Sequence, residues 1–122
     1  MSSSTGNMDA LFFALRDADL GSISVDRVVS VVAQRFQISA TSILSKNRER
    51  SVARSRHMVC YLARNLTRMS FPQIGREVGR HHTTVMSSVR RADTIRGRDR
   101  AFASEIMLIS GLLQAEAKSC HS

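Results

Sequence analysis

Apolar residues recur at three- and four-residue intervals along nearly the whole chain, and this rhythm restricts the fold more than any other feature. Met8, Leu11, Phe12 and Leu15 form one run, and Val25, Val28, Val29, Val32 and Phe36 a second. Met58, Val59, Leu62, Ala63 and Leu66 form a third, Val85, Val89 and Ala92 a fourth, and Phe102, Ile106, Ile109 and Leu113 a fifth. Each predicts a helix that buries one stripe. A chain of 122 residues with one Pro and six Gly has little turn material for an all-β fold. With 43% hydrophobic residues it can build a core, and with 5% aromatics and no Trp that core is aliphatic. The expectation is an all-α helical bundle.

Punctuation between the runs sets the element boundaries. Ser24 is placed to cap the Val25 helix, and Ile43 and Leu44 suggest a brief helical turn after Ser39. SKNRERS, Ser45 to Ser51, reads as a charged loop, with Ser51 capping the long helix that follows. Ser70 and Gln73 have capping-box spacing, with Pro72 in the first turn, and Gly79 stops that short helix. A helix from about His82 to Arg96 ends at Gly97, and the Phe102 helix is expected to finish before a polar tail. The expected division is a tail with a short helix over 1–23, a folded domain over 24–114 and a C-terminal tail over 115–122.

Charge is distributed unevenly along this frame. Between Lys46 and Arg100 there are fourteen Lys or Arg against four acids, +10, whereas the rest of the chain carries −2. Thirteen of the fourteen are Arg, the side chain better suited to bidentate phosphate and base contacts. Such a segment is the footprint of a polyanion binder.

Other functional classes find little support. Cys60 and Cys120 make no disulfide framework, and Cys60 falls in an apolar helical pattern. His57, Cys60, His81 and His82 lack zinc-ligand spacing, so no metal is expected. Nothing suggests a catalytic triad, a phosphate loop, a cofactor or a small-molecule substrate, and the chain is not expected to be an enzyme. No signal peptide or membrane span is read, so a cytoplasmic, nucleoid-associated protein is expected.

A short helix, a Gly-containing turn and an Arg-rich helix make a helix-turn-helix candidate. Four ordered stretches then resemble one family: LSK (Leu44 to Lys46), SVAR (Ser51 to Arg54), FPQIG (Phe71 to Gly75) and HHTTV (His81 to Val85). Together they are similar to the C-terminal DNA-binding domain of the bacterial replication initiator DnaA, over about Ser24 to Leu113. The resemblance implies a DnaA/Trp-repressor-like helix-turn-helix with double-stranded DNA as partner. It places Arg48 in the minor groove, with Lys46 beside it in the basic loop. Arg54, Arg56 and Arg64 correspond to positions near the phosphate backbone, and Pro72 to one lying beside the duplex. His82, Thr83 and Thr84 match the start of the recognition helix, and His57 is expected to face phosphate.

Two departures accompany the match. The family usually has aspartate where this chain has His81, and the turn is one residue shorter. Aspartate caps the helix and accepts from cytosine N4, which a neutral imidazole is expected to do poorly. The chain also lacks a GxxxxGK[ST] loop and is not expected to be a complete initiator. The rival reading is a helical adaptor that binds protein and has lost specific DNA binding. Its N-terminal helix would pack on the domain, on the initiator itself or on another protein.

Overall fold

In the computed structural model the described residues are 23–121, with side chains through Ala117. The expected helix at Met8 to Leu20 lies outside them. Six helices follow in order: α1 (Val25–Phe36), α2 (Ala40–Leu44), α3 (Arg50–Leu66), α4 (Phe71–Val78), α5 (His82–Arg98) and α6 (Arg100–His121). The all-α expectation holds for this part of the chain.

The core is aliphatic, as the composition requires. Val28, Val32, Met58, Val59, Leu62, Leu66, Ile74, Val85, Ile106 and Ile109 lose all exposure, so each predicted stripe in the described chain faces one centre. Each such side chain contributes about 1.5–3 kcal/mol relative to an exposed one. Helix α3 runs through the middle and packs against all five others.

Three boundaries differ from expectation, each for a local reason. Ser51 does not cap α3. The loop before it closes on its own side chains: Ser45 Oγ accepts the Asn47 N–H (3.1 Å) and Asn47 Oδ1 accepts the Glu49 N–H (2.8 Å). That delivers the chain into helical geometry at Arg50, with Glu49 at the N-cap and no side-chain cap bond. Gly97 does not end α5 either, because its backbone stays helical. The break falls at Asp99, whose N–H closes α5 on Ile95 O (2.8 Å). Its Oδ1 accepts from the N–H groups of Ala101 (3.0 Å) and Phe102 (3.2 Å) to open α6. Finally, the last helix continues past Leu113 to His121, and the burial of Ala117 extends its stripe into the residues expected to form a polar tail.

Candidate nucleic-acid interface

The turn between α4 and α5 forms as its sequence dictates. Ser70 Oγ accepts the Gln73 N–H (3.3 Å), and Gln73 Oε1 accepts the Ser70 N–H (2.7 Å), a complete capping box with Pro72 exposed beside it. Gly79 takes the left-handed conformation (φ 72°), which costs a glycine little. The Arg80 N–H then returns to Gly75 O at 2.8 Å. That return brings the Arg80 carbonyl so close to Gly75 that no side chain fits there: a Cβ would stand 2.4 Å from its oxygen.

Helix α5 therefore starts at a fixed angle with His82, Thr83 and Thr84 exposed. His81 occupies the N-cap. Its Nδ1 accepts the Thr83 N–H in a long cap bond (3.3 Å) and lies 2.8 Å from Thr83 Oγ1. With Nδ1 accepting, the neutral ring carries its proton on Nε2 and presents a donor outward. The His82 ring lies 4.3 Å from it, centroid to centroid.

Beside this helix start lies the basic loop, with Lys46, Arg48 and Arg50 exposed. Two arginines bind it to the helices. The Arg56 guanidinium donates to the carbonyls of Ile43 (2.8 Å), Ser45 (2.9 Å) and Asn47 (3.0 Å). Arg80, from the α4–α5 turn, donates to Ser45 O and to Leu44 O (3.4 Å). Arg56 thus holds the loop, and burial together with the neighbouring Arg80 charge lowers its pKa from the ordinary arginine value.

Other expected contacts have comparable second partners. Arg54 pairs with Asp99 (2.6 Å) and stands over Phe102. Arg64 donates to Met69 O (3.3 Å) and stacks 4.2 Å from the Phe71 centroid. A basic groove of about 470 Å³ between the start of α3 and the distal half of α5 joins Arg48, Arg50, Arg54, His57, Arg91 and Arg98. Arg50, Arg80, Arg91 and Arg98 were not singled out by the sequence reading. The seven-residue spacing of Arg91 and Arg98 on one helix face is the signal that reveals two of them.

His57 Nδ1 lies 3.1 Å from Ser88 Oγ. Burial, then the charges of Arg91, Arg56 and Arg54, lower its pKa, so the folded protein takes up a proton there less readily than the unfolded chain does. The unfolded chain takes up the proton near pH 6.5. The stabilisation is complete above that value and is lost as pH falls below it. His57→Gln is expected to flatten the dependence of Tm on pH between about 7 and 5, measured by thermal unfolding across that range. An unchanged profile would assign the dependence to other groups.

Among the described residues no cluster of three His, Cys, Asp or Glu side chains could hold a metal ion. No helix among them is long and apolar enough to cross a membrane. Burial pushes the Cys60 thiol up to about 11, which leaves it unreactive.

Comparison with known proteins agrees with this geometry. The family described as bacterial dnaA protein helix-turn-helix matches residues 25–92. The chromosomal replication initiator protein DnaA of Xanthobacter autotrophicus is 39% identical over 99 residues, 80% of this chain and 20% of that protein. That of Cereibacter sphaeroides is 35% identical over 108 residues, 88% and 24%. That of Rhodopseudomonas palustris is 38% identical over 93 residues, 75% and 20%. The chain spans between a fifth and a quarter of the length of these relatives. Carrying the helix-turn-helix match over more than half its length, it belongs to the bacterial DnaA helix-turn-helix family.

Proposed function

We propose that the domain binds double-stranded DNA without catalysis, at sites resembling those of the replication initiator. The start of α5 enters the major groove, and the basic loop, led by Arg48, follows the adjacent minor groove. The observation that carries this reading is the tethering of the loop to the helix-turn-helix by Arg56 and Arg80. It keeps Arg48 and the exposed Thr83 and Thr84 in one preorganised surface, which reduces the ordering cost of binding. In the cell such a domain regulates replication initiation or transcription, or competes with the initiator at its boxes. It works beside the nucleoid in the cytoplasm.

Fluorescence anisotropy on an initiator-box duplex and a scrambled one tests the reading. Thr83→Ala is expected to cost about 1–3 kcal/mol on the preferred duplex and little on the scrambled one, because it removes a base contact. Arg48→Ala is expected to weaken both, with an added loss where the minor groove is narrow. Equal losses for Thr83→Ala on the two duplexes would overturn base reading by α5.

His81 makes a separate prediction. Its outward Nε2–H donates to guanine O6 or N7 and cannot accept from cytosine N4 as an aspartate does. His81→Asp is therefore expected to shift the preferred base at the facing position by about 1–3 kcal/mol. Parent and variant ranking a panel of duplexes identically would remove His81 from specificity.

A further inference from the structure

The side of α6 turned away from the core carries no charge over three turns. Ser104, Met107, Leu108, Gly111, Leu112 and Ala115 are all exposed and follow one helical face. Met107 is 49% exposed, Leu108 44% and Leu112 42%, and the only other exposed large hydrophobic among the described residues is Leu44 at 36%. A continuous apolar face on an Arg-rich domain marks an interaction surface. We infer that its occupant is the same face of a second copy of this chain, the two α6 helices packing antiparallel about a two-fold axis.

The order of side chains along the face is the first argument. A two-fold interface is self-complementary: where one residue meets a second on the other copy, the second meets the first. With the axis between Ile109 and Ser110, Leu108 of each copy meets Gly111 of the other, Met107 meets Leu112 and Ser104 meets Ala115. The central leucine thus falls on the one position of the face without a side chain. At Gly111 nothing stands within 4 Å of a would-be Cβ, so the space for that leucine is open. A glycine there lets the two helix axes approach to about 8 Å, the near limit for packed helices.

Charge selects a second copy over a charged partner, and the antiparallel over the parallel arrangement. Beside the face, Glu105 is paired with Arg35 (2.9 Å) and Glu116 with Arg27 (2.9 Å), so neither acid is left to draw a basic partner. In the antiparallel pair Glu105 comes level with Gln114 and Glu116 with Ala103, and no like charges meet. A parallel pair would set Arg100 against Arg100. The antiparallel one separates them by about 28 Å along the axis, well beyond the screening length of about 8 Å at physiological salt. None of the six face residues lines the basic groove, so pairing leaves the groove open. Three turns of one helix make a small interface, at the transient end of the known range, with half-dissociation expected between about 10 and 100 μM.

Sedimentation equilibrium of the full chain from about 5 to about 300 μM is expected to show monomers passing into dimers. A parent that stays monomeric throughout would overturn self-association and leave the face to a different protein or to residues 1–22. Leu108→Asp with Leu112→Asp, both outside the core, is expected to weaken association at least tenfold, and an unchanged constant would place the contact elsewhere and overturn the inference. Gly111→Leu separates fit from mere apolarity, because it enlarges the apolar face yet fills the space at the axis. It is expected to weaken pairing at least tenfold, and stronger association would overturn the packing. Single cysteines then test direction, with Cys60 buried and Cys120→Ser removing the second native thiol. Leu108→Cys sets its two copies about 4.5 Å apart along the axis and is expected to form disulfide-linked dimers under mild oxidation. Ser104→Cys sets them about 16 Å apart and is expected to stay reduced. Equal cross-linking of the two variants would overturn the antiparallel register.

Discussion

Raising monovalent salt from about 50 to about 200 mM is expected to weaken DNA binding by roughly 250- to 1,000-fold. The exposed Lys46, Arg48 and Arg50 of the basic loop and the groove lined by Arg91 and Arg98 together engage about five phosphates. Each neutralised phosphate releases condensed counterions, so the log–log slope of affinity against salt is about −4 to −5. Arg56 should contribute little to that slope directly, because its donors are held by three carbonyls. Arg91→Ala or Arg98→Ala should each reduce the slope by about one. Anisotropy titrations at four or more salt concentrations read these values. A flat response in the parent would overturn phosphate binding as the basis of affinity.

This division of labour among the arginines shows where sequence reading ends. The helix-turn-helix was legible because its signals are local: Ser70 and Gln73 cap each other three residues apart, and Gly79 supplies a left-handed residue where its φ of 72° requires one. The stripe residues were legible because burial follows the helical period. Arg56 and Arg80 were not, since their roles depend on carbonyls at the end of α2 and in the basic loop, up to 36 residues away along the chain. Asp99 was hidden for a related reason. Its sequence context offers Gly97 as the stronger stop, yet one carboxylate that caps α6 and pairs with Arg54 fixes the break two residues later. His81 lies between these cases. The resemblance identified the departure, and only the geometry at Thr83 showed which ring nitrogen the helix uses.

Gly75→Ala is expected to have the largest effect of any single methyl added to the domain. The new Cβ would stand 2.4 Å from the Arg80 carbonyl oxygen and 3.5 Å from the His82 nitrogen. The oxygen belongs to the backbone, so no side-chain rotation relieves the contact and the turn itself must open. Opening it strains the Gly75 O to Arg80 N–H bond (2.8 Å) and moves the residue that precedes the His81 cap. Overpacking of this kind costs about 3 kcal/mol, at the upper end of its usual range. In a domain of about 100 residues that lowers Tm by roughly 10–20 °C. Specific DNA affinity should fall at least tenfold even where the variant remains folded, because α5 no longer starts at the same angle. Gly97→Ala supplies the contrast: it lies within α5, its φ is not positive, and nothing stands within 4 Å of the added methyl. There the same substitution replaces a weak helix former with the best one and should stabilise by up to about 1 kcal/mol. Thermal unfolding of the two variants against the parent should give shifts of opposite sign. A Gly75→Ala protein melting within a few degrees of the parent would show that the turn has slack, and the fixed entry angle of α5 would have to be abandoned.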